Sequence, residues 1–377
     1  MKTKYFLFIG MIISFLLSAC SSKDSGMTHF AYQETENGKW GFMSTEGEIV
    51  VPPTFQGMPT PVTDDMFFVP KEDGTYELHN INEPEKVINA NYTGITSFSE
   101  GKAFVIQGTE NILCINKTGD ILYELPSDII MASTFSNGRV IIAKNDNEIA
   151  AIKYGYIDKK GEMIIPCDYL SATGFSNNFA VVAKANTDSI CIINKNGAII
   201  DKINDDVKDE TFNTIIGNFQ VWTKIKSDAI PYVSNGNFGL KKIEGDIFLK
   251  ADHRYKLITS LCNGYFVFQT NNGYGVMKET GEEITSDKYS FIGGCNMNGC
   301  FAASISKNGD FDKWGIYSID GTTLCTPIYD LIFPIVNSSY FIAINDGKFF
   351  FITKEGKVLY HFYNVNFSPI FNINKQE

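Results

Sequence analysis

The chain has 377 residues, with 43 acidic against 32 basic side chains and a formal charge of −11 at neutral pH. That balance argues against a nucleic-acid binder, which needs a concentrated basic footprint. Aromatic residues reach 14 %, with 30 Phe and 18 Tyr, far too many for a disordered chain.

At the N-terminus, Lys2 and Lys4 precede an apolar run from Tyr5 to Leu17 that closes on Leu17-Ser18-Ala19-Cys20. A charged start, one apolar stretch and small residues before a cut are secretory-signal features, and the run is too short for an ordinary spanning helix. With a cysteine directly after the small pair, the stretch resembles a bacterial lipoprotein signal. The resemblance implies a signal peptide over residues 1–19, diacylation (palmitate-type) of the Cys20 thiol and cleavage before it. A plain secretory signal, or an anchor with a chance cysteine, is the alternative. Residues 20–28 then form a tether, and the expected address is the bacterial cell envelope, lipid-anchored at the outer membrane. The tether does not distinguish the periplasmic from the surface-facing side.

One pattern organises the rest. Its clearest copies are Lys39-Trp40-Gly41-Phe42, Lys153-Tyr154-Gly155-Tyr156, Gly273-Tyr274-Gly275-Val276 and Lys313-Trp314-Gly315-Ile316, with a weaker one at Asn237-Phe238-Gly239-Leu240. Six residues after each glycine stands another: Gly47, Gly161, Gly281, Gly321 and Gly245. The second glycine recurs alone at Gly119, Gly197 and Gly356, and a degenerate copy lies near Asn82-Glu83-Pro84-Glu85. This amounts to about nine copies at a mean spacing of about 39 residues, the signature of stacked or radially arranged small units. Polar pairs before the second glycine predict tight hairpin turns. The following strand often ends in proline, as at Pro53, Pro166 and Pro327, and an aromatic follows the turn glycine by eight residues at Phe55, Tyr169, Tyr289 and Tyr329. A further element, Phe98-Ser99-Glu100-Gly101 or Phe175-Ser176, precedes an apolar strand such as Ala103-Phe104-Val105. No stretch sustains a helical period, so the class is all-β. Isolated hairpins bury too little to be stable, so Trp40, Tyr154, Tyr274 and Trp314 are expected to pack between units.

The Lys-Trp-Gly core, the turn glycine, the Ile-Ile-Pro strand end and the Phe-Ser-x-Gly element resemble the bacterial WG repeat. The resemblance runs from Gly38 to Tyr363 and implies a β-rich array, often secreted or envelope-associated, with no common catalytic apparatus. Units of this length also suit propeller blades. A propeller-like ring and an open twisted β array are both open, within one β-repeat domain over residues 29–369 followed by a tail at 370–377. The partial first unit, Phe30 to Pro53, and the leftover segment, Phe362 to Phe367, are complementary ends.

Chemistry-bearing patterns are sparse. His29, His79, His253 and His361 lie far apart, and the acidic runs at Asp205-Asp206, Asp209-Glu210 and Asp310-x-Asp312 lack the spacing of a calcium loop. There is no nucleophile elbow and no phosphate cradle. No metal, cofactor or catalytic residue is therefore assigned. Beyond Cys20, the cysteines are Cys114, Cys167, Cys191, Cys262, Cys295, Cys300 and Cys325, mostly within apolar runs and expected to be buried thiols. Cys295 and Cys300 are near enough for a local bridge. The expected role is a non-catalytic binding or scaffold module for a protein or peptide; a glycan ligand is the alternative and a degenerate hydrolase a weaker one. Trp222 and Tyr232, in the irregular stretch from Asn204 to Gly236, are the contact candidates.

Overall fold

The computed structural model describes residues 26–108, 111–146, 151–184, 189–204, 229–305, 312–335 and 338–374. Trp222 and Cys20 lie outside them. Among the described residues every regular element is a strand, and neighbouring strands pair antiparallel. Residues 22–44, 48–216 and 364–377 cluster as one compact unit, and residues 45–47 and 217–363 as a second.

The repeat is a four-stranded antiparallel meander of the kind used as a propeller blade. Its plainest form joins Gly94–Ile95, Lys102–Ile106, Leu113–Asn116 and Ile121–Glu124 in sequence order. The same order recurs in the sheet of Phe291–Cys295, Phe301–Ile305, Lys313–Tyr317 and Thr323–Tyr329, and in that of Leu331–Pro334, Phe341–Asn345, Lys348–Ile352 and Val358–Phe362. The Phe-Ser-x-Gly element is the first hairpin: Ser99 bridges Lys102, and Glu100 and Gly101 carry φ of 55° and 79°. The turn glycine closes the last hairpin, with Gly161 at φ 85° and its amide donating to the Asp158 carbonyl at 3.2 Å.

Register explains the Trp-Gly pair. Trp40 faces Phe55 across the last hairpin, and Phe42 faces Val51. One residue, Gly41, therefore opposes the bulged segment Pro52-Pro53-Thr54. Tyr154 faces Tyr169 and Trp314 faces Tyr329 in the same way, each with a register shift at the glycine. The bulge presses backbone onto the glycine: a Cβ on Gly41 would lie 2.5 Å from the Val51 carbonyl oxygen, and one on Gly155 or Gly315 2.6 Å from that of Ile165 or Cys325. Proline suits the bulge because it lacks a donor for the ladder.

Repeats lock onto their neighbours through the outer turns and the first hairpins. A Cβ on Gly161 would meet the Tyr123 ring of the preceding repeat at 2.7 Å; on Gly281, Leu249 at 2.9 Å; on Gly321, Thr285 at 2.8 Å. Phe98, Phe135 and Phe175 are buried against aromatics of the preceding repeat, with centroids 5.9 Å from Phe68, 5.4 Å from Phe104 and 5.0 Å from Tyr156. Polar rungs accompany them. Asp64 Oδ2 accepts from the Gly101 amide at 2.7 Å, and Glu100 Oε1 from the Gly138 amide at 2.9 Å. The Ser99 and Ser136 hydroxyls donate to the carbonyls of Phe135 (2.8 Å) and Phe175 (2.6 Å).

Three expectations are corrected. Cys295 bonds Cys262 rather than Cys300, because successive first-hairpin strands bring the former pair together across two repeats, while Cys300 stays buried and reduced. Residues 370–374 are not a tail: Asn372–Asn374 pairs with Ile129–Ser133, and Ile373 is buried. Tyr232 is buried in Ala229–Ser234, its hydroxyl accepting from the Ala251 amide at 2.9 Å, so it is no contact residue. The complementary ends do meet: Asn364–Asn366 pairs with Met27–Gln33 and supplies the innermost strand of the first repeat.

Two outcomes follow from this geometry. Gly155→Ala is expected to lose about 1–3 kcal/mol in denaturant melts through backbone overpacking, whereas Gly174→Ala, whose Cβ would come no nearer than 3.4 Å to a neighbour, stays close to wild type. Replacing both Cys262 and Cys295 by alanine, which opens a span of 33 residues, is expected to cost about 3–4 kcal/mol under oxidising conditions. Peptide mapping of the unreduced protein should recover the Cys262–Cys295 bridge.

Candidate functional site

The residues singled out by the repeat belong to the frame. Trp40 (6 % exposed) and Trp314 (8 %) are buried, and Tyr154 and Tyr274 half-buried. Trp40 packs with Phe42, Val51, Phe55, Val62 and Phe67, in strands of the first two repeats. Tyr274 reaches Phe291 of the following repeat at 5.5 Å, and Phe291 in turn lies 5.9 Å from Trp314. Trp40, Tyr154 and Tyr274 thus join neighbouring units, while Trp314 packs within its own repeat. Gly41, Gly155 and Gly315 sit against the bulges, Gly275 against the Phe268 ring and the Ser286 carbonyl, and Gly47, Gly161, Gly281 and Gly321 at the outer turns.

The titratable groups are also mostly structural. Among the described residues no group of three or more His, Cys, Asp or Glu stands close enough to hold a metal ion. Burial pushes the thiols of Cys114, Cys191, Cys300 and Cys325 up, and that of Cys167 to about 11, which keeps them protonated and unreactive near neutral pH. Arg254 clamps Glu283 at 2.8 and 2.9 Å while the Tyr255 hydroxyl donates to the same carboxylate at 2.7 Å, tying neighbouring repeats. His79 is buried and stacked 5.2 Å from Phe67, with Nδ1 3.0 Å from the Pro84 carbonyl oxygen and Glu77 3.5 Å from Nε2. Burial outweighs the nearby carboxylate and lowers its pKa.

What the frame leaves exposed is periodic. Two residues past the turn glycine, on the last strand of the repeat, stand Ile49 (47 % exposed), Ile121 (57 %), Ile199 (49 %) and Ile247 (54 %), with Met163 and Val358 at the same place. Val50, Leu122, Phe248 and Leu359 follow several of them and are exposed as well. The strands of Ile49, Ile121, Ile199, Ile247 and Val358 are terminal in the hydrogen-bonded order, with one edge of the backbone ladder unpaired among the described residues, whereas that of Met163 runs on into the following meander. Charged residues share it, such as Glu124, Asp201, Lys202 and Lys250, the usual guard against indiscriminate edge pairing. Periodicity at the turn glycine was the signal in the sequence for this rim; its exposure was not legible there.

Stability is expected to fall as pH drops below the ordinary histidine value of 6.5, because the unfolded chain then takes up a proton that buried His79 resists. His79→Gln should flatten the pH dependence of the urea midpoint over that window while leaving stability near pH 8 less affected.

Comparison with known proteins agrees with this geometry. The family model described as "WG containing repeat" matches residues 40–76, 83–108 and 154–187. No curated protein matches the sequence. Among solved structures, the chain resembles a eukaryotic initiation factor at 8 % identity and a TM-score of 0.55, covering 93 % of this chain and 98 % of that one. BamB from Moraxella catarrhalis follows at 11 % identity and a TM-score of 0.38, covering 80 % and 91 %. Virginiamycin B lyase from Staphylococcus aureus follows at 18 % and 0.33, covering 76 % and 96 %. At such identities the first likeness speaks to fold alone. Over residues 40–76, 83–108 and 154–187 the chain therefore carries WG-containing repeats.

Proposed function

We propose that the chain is a cell-envelope lipoprotein whose repeats form a non-catalytic binding or scaffold module for a protein or peptide partner, held to the membrane through Cys20. The observation that carries the binding role is the periodic apolar rim on the terminal strands. Isoleucine at the same exposed position of several repeats does not serve the core, and exposed apolar rows beside unpaired strand edges mark interaction surfaces. A rigid frame of stacked repeats suits this use, because each unit presents its free positions at fixed spacing. The Cys262–Cys295 disulfide supports export, since such bonds persist outside the reducing cytosol. The address itself rests on Lys2, Lys4, the apolar run and Leu17-Ser18-Ala19-Cys20.

A photo-crosslinking residue at Ile121 or Ile199, in the protein expressed in its native envelope, is expected to yield a discrete protein adduct. The same probe at buried Trp314 should yield none. Absence of any adduct from both outer strands would remove the binding role. Cys20→Ser is expected to abolish palmitate labelling and release the protein from the membrane fraction; retained labelling would remove the anchor.

A further inference from the structure

The C-terminal segment Asn364–Asn374 runs extended across the first four repeats of its own compact unit. It is held at both ends by short ladders. Asn364, Val365 and Asn366 pair with Gln33, Tyr32 and Ala31; Asn372, Ile373 and Asn374 pair with Ser133, Ala132 and Met131. Between them, Asn366 Nδ2 donates to the Pro59 carbonyl at 2.8 Å, and the Ser97 amide donates to the Ile370 carbonyl at 2.7 Å. The Ile370 amide donates back to the Ser97 hydroxyl at 2.8 Å, and the Thr134 amide donates to the Phe371 carbonyl at 2.7 Å. Pro59, Ser97 and Thr134 lie on the first segments of three successive repeats, so the strap reads one edge position in each.

Its side chains are matched to that track. The two ends are copies of one triplet, Asn-Val-Asn and Asn-Ile-Asn, each with its β-branched centre buried. Ile373 enters the core around Phe104, Ile129 and Phe135, and Gly94 makes room for it: a Cβ there would lie 3.0 Å from Ile373 Cδ1. No residue from Phe362 to Asn374 is charged, in a chain that is 20 % charged overall. The hold is nonetheless shallow. Each end pairs at three positions, against five between His29–Ser44 partners and seven between Val140–Ile157 partners within the meanders.

We infer that these inner edges form a β-addition site for an extended, uncharged peptide with asparagine-flanked β-branched residues at its two anchoring positions, and that Asn364–Asn374 is a resident ligand which such a peptide displaces. Backbone hydrogen bonds to a sheet edge supply affinity in this mode, and pockets for alternate side chains supply selection. Here the selective pockets are those of Val365 and Ile373. The site lies on the opposite edge of the meanders from the apolar rim, and it stands or falls independently of the role proposed for that rim.

The test begins with the full chain, folded first and then cut at a specific protease site inserted between Tyr363 and Asn364. A fluorescent peptide with the sequence of Asn364–Asn374 is expected to exchange into the cut protein and saturate. A peptide carrying aspartate in place of both Val365 and Ile373 should not bind. Gly94→Val should weaken uptake by about tenfold or more, the consequence of excluding one buried aliphatic side chain. Cut protein that keeps its β-sheet circular dichroism yet takes up no peptide overturns the inference. In the uncut chain, hydrogen exchange reads the same point: the Val365 and Ile373 amides are expected to open well before those of Lys102–Ile106. Equal protection would make the strap a permanent strand and overturn it too. The occupant is the Asn364–Asn374 strap of a second copy of this chain, the sequence already seen to fit the track; strap-exchanged dimers are expected by mass in the uncut chain at high concentration, and a chain that stays monomeric there overturns the inference.

Discussion

The structure depends on how closely one repeat approaches the next at the outer turn. Each last hairpin is pressed onto the terminal strand of the repeat before it, at Tyr123 under Gly161 and Leu249 under Gly281. A side chain at the turn would force the sheets apart and open the aromatic seams beneath. The turn glycine thus meets two demands at once, the left-handed backbone of the hairpin and the absence of a Cβ in a repeat-to-repeat contact. That double demand explains why it outlasts the Trp-Gly pair in the weaker copies at Gly119 and Gly197. A missing pair alters one hairpin; a missing turn glycine disturbs two repeats.

The Trp-Gly pair solves a different problem within the repeat. The last strand must bend away after a few residues to begin the next unit, and a bulge opposite glycine lets it do so without losing the ladder. The strand Met163–Ala172 displays the result: it pairs with Ala151–Ile157 before and beside the bulge and with Phe179–Lys184 beyond it. The aromatic before the glycine then covers the bent segment from one side, facing Tyr169 or its equivalents. Ring size is flexible there, which is why tryptophan, tyrosine and phenylalanine alternate at this position in the copies that keep the glycine.

These physical demands also set what could be read from sequence. Glycines, prolines and the aromatic partners at fixed offsets are local consequences of the repeat, and they located the hairpins and the packing of Trp40 against the next repeat, whereas Trp314 packs within its own. Long-range choices left no such trace. Nothing in the spacing of Cys262 and Cys295 indicated that adjoining repeats would bring them together, whereas the nearness of Cys295 to Cys300 along the chain was misleading. Tyr232 lay in an irregular stretch, yet its strand pairs with Asn237–Lys242 like any other and its hydroxyl closes onto Ala251. The segment after Pro369 carries no turn signal, and its place against Ile129–Ser133 depends on a neighbour far away in sequence.

The motif that defines the repeats is consumed in building them, so recognition has to reside in what varies between repeats or lies at their edges. Two kinds of edge remain. The outer one, in most of the repeats and among the described residues, is an edge strand with isoleucine or valine at a constant place and charges that differ from repeat to repeat, from Glu124 to Lys202 to Lys250. Constant apolar residues give such a surface its adhesion, and changing charges give it discrimination. The inner edge already holds an extended segment of the chain itself, anchored by Val365 and Ile373. A frame that accepts one strand through backbone bonds and two aliphatic pockets has, in its own C-terminus, a worked example of the ligand it can take.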